Sequence, residues 1–168
     1  MKTIGYLILF GLFATPIAAA EDALLAQFVG EWVGNGKIRL TSDAEPERIF
    51  CRITNTLVND GTALQQKGRC GVATNTGLVD GLITAIGQHR YEGTLNSLAS
   101  NGTASLTGIG KPGKLVLTSE FIDTLTGKPA ISTTTLTVRR EGGYQLDSER
   151  VDPDGGATFA ESRIIFAR

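Results

Sequence analysis

The sequence predicts an all-β protein, an antiparallel up-and-down meander. Three observations predict it: alternation of apolar and polar residues through short segments rich in Thr, Val, Ile and Leu, turn-forming residues recurring every eight to twelve positions or so, and no helical periodicity after Phe28.

In chain order, the strands expected are 32–40, 48–58, 63–72, 78–86, 89–95, 103–109, 114–122, 132–140, 144–151 and 158–167. Asp60-Gly61, Asn101-Gly102, Pro112-Gly113, Gly142-Gly143 and Asp154-Gly155 separate several of them and supply residues that tolerate positive φ. Each strand has one apolar face, for example Ile49, Cys51, Ile53 and Leu57, or Leu115, Leu117 and Phe121. About eight to ten strands with one apolar face apiece bury it together by closing into a barrel, which also removes exposed edges. A two-sheet β-sandwich satisfies the same alternation and stays open as the alternative. A single short helix is expected over 23–29, with Asp22 as N-cap, either as a plug over one barrel end or as a loose arm.

Ahead of that segment, residues 1–20 read as a cleaved secretory signal peptide. Lys2 gives a positive start, Ile4 to Phe13 an apolar stretch too short to cross a bilayer, Pro16 a break, and Ala18-Ala19-Ala20 a small-residue cleavage site before Glu21. The competing reading is a buried N-terminal helix. With no cysteine at the cleavage point a lipid anchor is not expected, and residues 21–168 are expected to form one β-barrel domain, periplasmic or secreted. Loss of Lys2 takes the formal charge from −1 to −2, with both signs interspersed. No basic stripe suits nucleic acid, and no later run is apolar enough to span a membrane.

The two cysteines carry the sharpest local expectation. If the hairpin turns about Asp60-Gly61, Leu57 faces Leu64, Ile53 faces Gly68, Cys51 faces Cys70 and Ile49 faces Val72. One register thus pairs the cysteines and puts their apolar neighbours on one face; a one-residue slip destroys both agreements. A four-residue loop, 59–62, sets Cys51 and Cys70 at the narrow non-hydrogen-bonded site that suits a disulfide. The pair lacks the CxxC spacing or histidine company of a redox or metal centre, so the bridge is structural.

Phe28-Val29-Gly30-Glu31-Trp32-Val33-Gly34 follows the short helix and opens the first strand. In this the chain resembles the calycins, the lipocalins, fatty-acid-binding proteins and their bacterial relatives, whose first barrel strand begins with Gly-x-Trp, here Gly30 and Trp32. The resemblance implies a calycin-like barrel with an interior cavity. It also implies a structural Trp32 at the closed end, covered by an arginine from a late strand: Arg168 first, Arg150 second.

Signals for chemistry are sparse. His89 is the only histidine and sits beside the Gly87-Gln88 turn, and no Gly-x-Ser-x-Gly elbow positions a nucleophile. One histidine and a bridged cysteine pair leave no zinc or copper set, haem has only His89 in its favour, and no phosphate-cradling loop points to a nucleotide, so no cofactor is expected. Asp152-Pro153-Asp154-Gly155-Gly156 lacks the ligands of a calcium loop and reads as a hairpin turn. Glycines fall on or near inward faces at Gly34, Gly36, Gly68, Gly81, Gly93 and Gly108, where they either bend strands or leave interior space.

The leading functional expectation is a non-catalytic exported binding protein holding a small apolar or amphipathic molecule. Its candidate lining is Trp32, Tyr91, Phe121, Tyr144 and Phe166. A protein-interaction module, such as an inhibitor of a secreted enzyme or an envelope-associated factor, is the second, and an enzyme the third.

Overall fold

In the computed structural model, which describes residues 21–152 and 156–168, a 3₁₀ turn, Leu25–Phe28, precedes ten strands. These are β1 (Gly30–Ile38), β2 (Glu47–Val58), β3 (Ala63–Gly71), β4 (Thr76–Ala85), β5 (Arg90–Asn96), β6 (Ala104–Lys111), β7 (Lys114–Ile122), β8 (Pro129–Val138), β9 (Tyr144–Val151) and β10 (Thr158–Ala167). Every strand pairs antiparallel with its sequence neighbours, and β1 pairs with β10. That last pairing closes the sheet into a barrel, so the sandwich alternative falls. The expected signal peptide, residues 1–20, and the Asp154-Gly155 turn lie outside the described residues.

Registers follow the hydrophobic parity of the sequence. Cys51 faces Cys70, Ile53 faces Gly68 and Leu57 faces Leu64 across a four-residue loop at 59–62, and the two cysteines form a disulfide with Cα atoms 4.1 Å apart. Asn59, Asp60 and Gly61 all take positive φ, which folds the chain back with no slip in register. The eighth strand starts three residues earlier than expected, because Pro129 opposes Ile122 and Ala130 opposes Phe121. Proline is tolerated as the first residue of a strand.

The expected helix over 23–29 is reduced to the single 3₁₀ turn. Seven residues cannot repay α-helix nucleation, and Val29 is already extended before Gly30 (φ 142°) starts β1. Leu24, not Asp22, takes the N-cap position of this shorter turn, but Asp22 still supports its start: Oδ1 accepts from the backbone N–H groups of Leu24 (3.1 Å) and Leu25 (2.9 Å). Leu25 and Phe28 are fully buried, so the segment is a plug rather than an arm. The Phe28 carbonyl, at its end, accepts from Trp32 Nε1 (2.8 Å) and Asn55 Nδ2 (2.9 Å), which ties the plug to β1 and β2.

Behind the plug the end of the barrel is solid. Tyr144 meets Phe28 and Trp32 edge-on, with ring centroids 5.4 and 5.3 Å away, and stacks on Phe166 at 4.6 Å. Gly34 is required there, since a Cβ would lie 2.5 Å from the Phe166 ring. Most of the other inward glycines are likewise sites of close approach, whereas Gly81 lines an interior hollow with the tip of Leu95 as its nearest neighbour. At Gly36, Gly68 and Gly93 a Cβ would meet a backbone carbonyl at 2.0–2.1 Å.

Candidate functional site

The barrel is packed at the plugged end and hollow above it. An outer chamber of about 160 Å³ lies towards the opposite end, and an inner chamber of about 90 Å³ lies below it. Gln66, Leu95, Ser119, Thr134 and Leu146 border both and form a shared waist.

Strand order gives the outer chamber two unlike sides. From β1 to β5 it receives Ile38, Ile53, Val79, Leu95 and the Cys51–Cys70 disulfide. The strand-borne hydroxyls that line it all come from β7 to β10: Ser119, Ser132, Thr134, Ser148 and Ser162. Several are engaged with one another or with the backbone. Ser119 Oγ donates to the Ser132 carbonyl (3.2 Å), and the Ser148 and Ser162 hydroxyls share a 2.6 Å hydrogen bond. Such a surface accepts an apolar body with a small polar edge.

At the mouth is a buried charge cluster that the sequence did not single out as such. Arg150 (3 % exposed) lies between Asp123 (4 %) and Glu161 (7 %). Nη1 donates to Asp123 Oδ2, Nη2 donates to Glu161 Oε1, and the guanidinium lies over the Phe121 ring with its carbon 5.1 Å from the centroid. Glu161 Oε2 also accepts from Ser132 Oγ (2.7 Å). The pairing register of β9 with β10 shifts between Ala160 and Ser162, so Glu161 is the extra residue of a β-bulge. Regular alternation with Ile164 and Phe166 inward would face Glu161 to solvent; the bulge turns it inward.

Asp123 also organises the loops. Its Oδ1 accepts from the N–H groups of Leu125 (2.9 Å) and Thr126 (2.7 Å), and its backbone pairs with Ser100. Asn101 N donates to the Ile122 carbonyl (2.8 Å) and Thr124 N to the Ala99 carbonyl (3.0 Å), which ties the 97–103 segment to the end of β7 at the open end. Burial opposes ionisation of Asp123, but the hydrogen bonds from Thr126 and Leu125 and the Arg150 guanidinium outweigh it, and its carboxyl titrates below the ordinary range.

Of the expected lining residues, Phe121 and Phe166 border the outer chamber and Tyr144 the inner one. Trp32 and Tyr91 border neither. Trp32 belongs to the packed end, and the Tyr91 hydroxyl turns to Asp22 Oδ2 at 3.2 Å, beneath the plug. Burial and the Asp22 carboxylate push the Tyr91 phenol up to about 12. The Arg168 guanidinium lies over the Trp32 ring, its carbon 5.0 Å from the centroid, and Nη2 donates to the Val29 carbonyl (3.4 Å). Arg150, the second choice for that position, is committed to the mouth instead. His89 is exposed in the β4–β5 turn with φ 58°, away from both chambers. Among the described residues no group of three or more His, Cys, Asp or Glu is placed to hold a metal, and no helix is long and apolar enough to cross a membrane.

No protein-family model and no curated protein sequence matches the chain.

Proposed function

We propose that the protein is an exported, non-catalytic binding protein of calycin-like design that holds a small amphipathic molecule inside its barrel. The observation that carries this reading is the pair of adjoining chambers, the outer one apolar apart from Gln66 on its β1–β5 side and mixing hydroxyls with Phe121, Leu146 and Ile164 on its β7–β10 side. Supporting the calycin-like comparison are the short plug before β1, the Gly30-x-Trp32 start of that strand and the Arg168 guanidinium over Trp32.

Volume decides the size of ligand. The outer chamber, at about 160 Å³, is comparable with the ~150 Å³ apolar cavity known to take up a benzene ring. It falls below the ~300–1,000 Å³ of sites for drug-sized molecules. The ligand is therefore a single ring or a short branched chain. Export follows from the order of blocks in residues 1–20 and agrees with the disulfide, which an oxidising compartment favours.

Native mass spectrometry of protein purified from its own host tests both halves. The expected result is a chain beginning at Glu21 that retains a low-mass adduct and, once stripped, takes up toluene saturably. A bare chain that takes up no toluene overturns the binding reading and favours a protein-interaction role. A chain retaining residues 1–20 overturns export.

A further inference from the structure

The floor of the inner chamber holds two buried polar groups whose hydrogen-bonding capacity is not fully spent. Asn55 (2 % exposed) uses its Nδ2 on the Phe28 carbonyl, while its Oδ1 has no hydrogen-bond partner; the neighbouring Tyr144 hydroxyl (1 %) interacts with the Asn55 side chain, which acts to lower its pKa, but has no partner for its own proton. Both residues line the inner chamber and neither lines the outer one. Around them the wall is aliphatic, including Leu64, Ile83, Leu117 and Leu136. An unsatisfied group in such surroundings costs about 1–3 kcal/mol, so an acceptor and a hydroxyl left side by side at the bottom of a hollow are unusual.

Neither group is free to turn away. Hydrogen bonding of Nδ2 to the plug fixes the carboxamide, and Phe28, Trp32 and Phe166 hold the Tyr144 ring. Oδ1 needs a donor, whereas the Tyr144 oxygen can donate or accept. Burial raises the Tyr144 pKa and outweighs the opposing effect of the Asn55 side chain, so the phenol stays protonated and neutral. The inner chamber's lining contains no charged side chain. An ionised carboxylate would be repelled by Oδ1, and an ammonium would find no counter-ion; both would bear a large desolvation penalty.

Building on the binding reading above, we propose that Asn55 and Tyr144 form a subsite for the neutral hydroxyl of an alcohol or phenol, which enters the barrel hydroxyl-first. Its O–H donates to Asn55 Oδ1 and its oxygen accepts from Tyr144, while the hydrocarbon body lies through the waist against Leu95 and Leu146.

Phenol and toluene, nearly equal in size, test the assignment by calorimetric titration of the folded, stripped protein. Toluene leaves water the more readily, so a purely apolar chamber ranks it first. The expected result is that phenol binds at least as tightly as toluene. In Tyr144→Phe the phenol-to-toluene affinity ratio falls roughly ten-fold, the worth of one hydrogen bond. If the wild-type protein takes toluene and refuses phenol, the subsite is wrong and the chamber reading survives. An unchanged ratio in Tyr144→Phe likewise overturns the subsite. Uptake of neither probe overturns both readings. Should Tyr144→Phe fail to fold, the wild-type ranking decides alone.

Discussion

Arg150 shows how far parity can be carried at the scale of one residue. In β9 the even positions Tyr144 and Leu146 face inward, and the same count places Ser148 and Arg150 inside the barrel. An inward arginine needs carboxylates, yet its partners are not legible from pattern: Asp123 reads as a turn residue and Glu161 as the polar position of a strand. Only the bulge brings Glu161 round. A trace of it remains in the sequence, since the apolar phase of β10 is odd at Phe159 and even at Ile164 and Phe166. Replacing Arg150 with Met should cost about 3–5 kcal/mol in urea denaturation, because two carboxylates are left buried without their cation. Replacing Arg150, Asp123 and Glu161 together with apolar residues of similar volume should cost much less.

Titration gives two more checks at this scale. The Asp123 carboxyl is depressed in the folded protein, so its contribution is present above the unfolded value of 3.8 and is lost as pH falls through the folded value. Thermal midpoints should drop as the pH is taken below 4, and Asp123→Asn should flatten that limb. The Tyr91 phenol is raised, so its contribution is present below 10 and is lost as pH rises towards 12. Tyr91→Phe should remove part of the alkaline loss between those values.

Among the elements, the β2–β3 hairpin is the most fully legible, because one integer, the register sum, has to satisfy the cysteines and the apolar pairs together. The boundaries of β7, β9 and β10 also match expectation; turn residues flank β7 and β9 on both sides and precede β10. The plug departs from expectation in conformation but not in position: its apolar spacing is real, and the extended Val29 ends it after one turn. By loop entropy the disulfide, spanning a sequence separation of 19, should add roughly 3 kcal/mol. Urea midpoints with and without reductant measure that directly. Since the bridge also lines the outer chamber, reduction should weaken toluene uptake as well as stability.

For the whole molecule, closure into a barrel follows from strand number and edge removal, whereas the hollow does not follow from pattern. Parity says which side chains point inward, not whether their volumes fill the space. Of the five aromatic candidates for the lining, three border the chambers, and Trp32 and Tyr91 complete the packed end. As the sole tryptophan, Trp32 reports on that end alone. Filling the waist with Leu95→Trp should abolish toluene uptake, costing about 1–3 kcal/mol in stability from overpacking, with the β-sheet circular dichroism retained.

The stopper of rings and the 3₁₀ turn makes the protein a bottle with a single neck. A guest bound as proposed would enter and leave at the end where the 97–103 segment meets the Asp123 corner. The buried Arg150–Asp123–Glu161 cluster lies at that same end, so the barrel's charges and its way in share one rim.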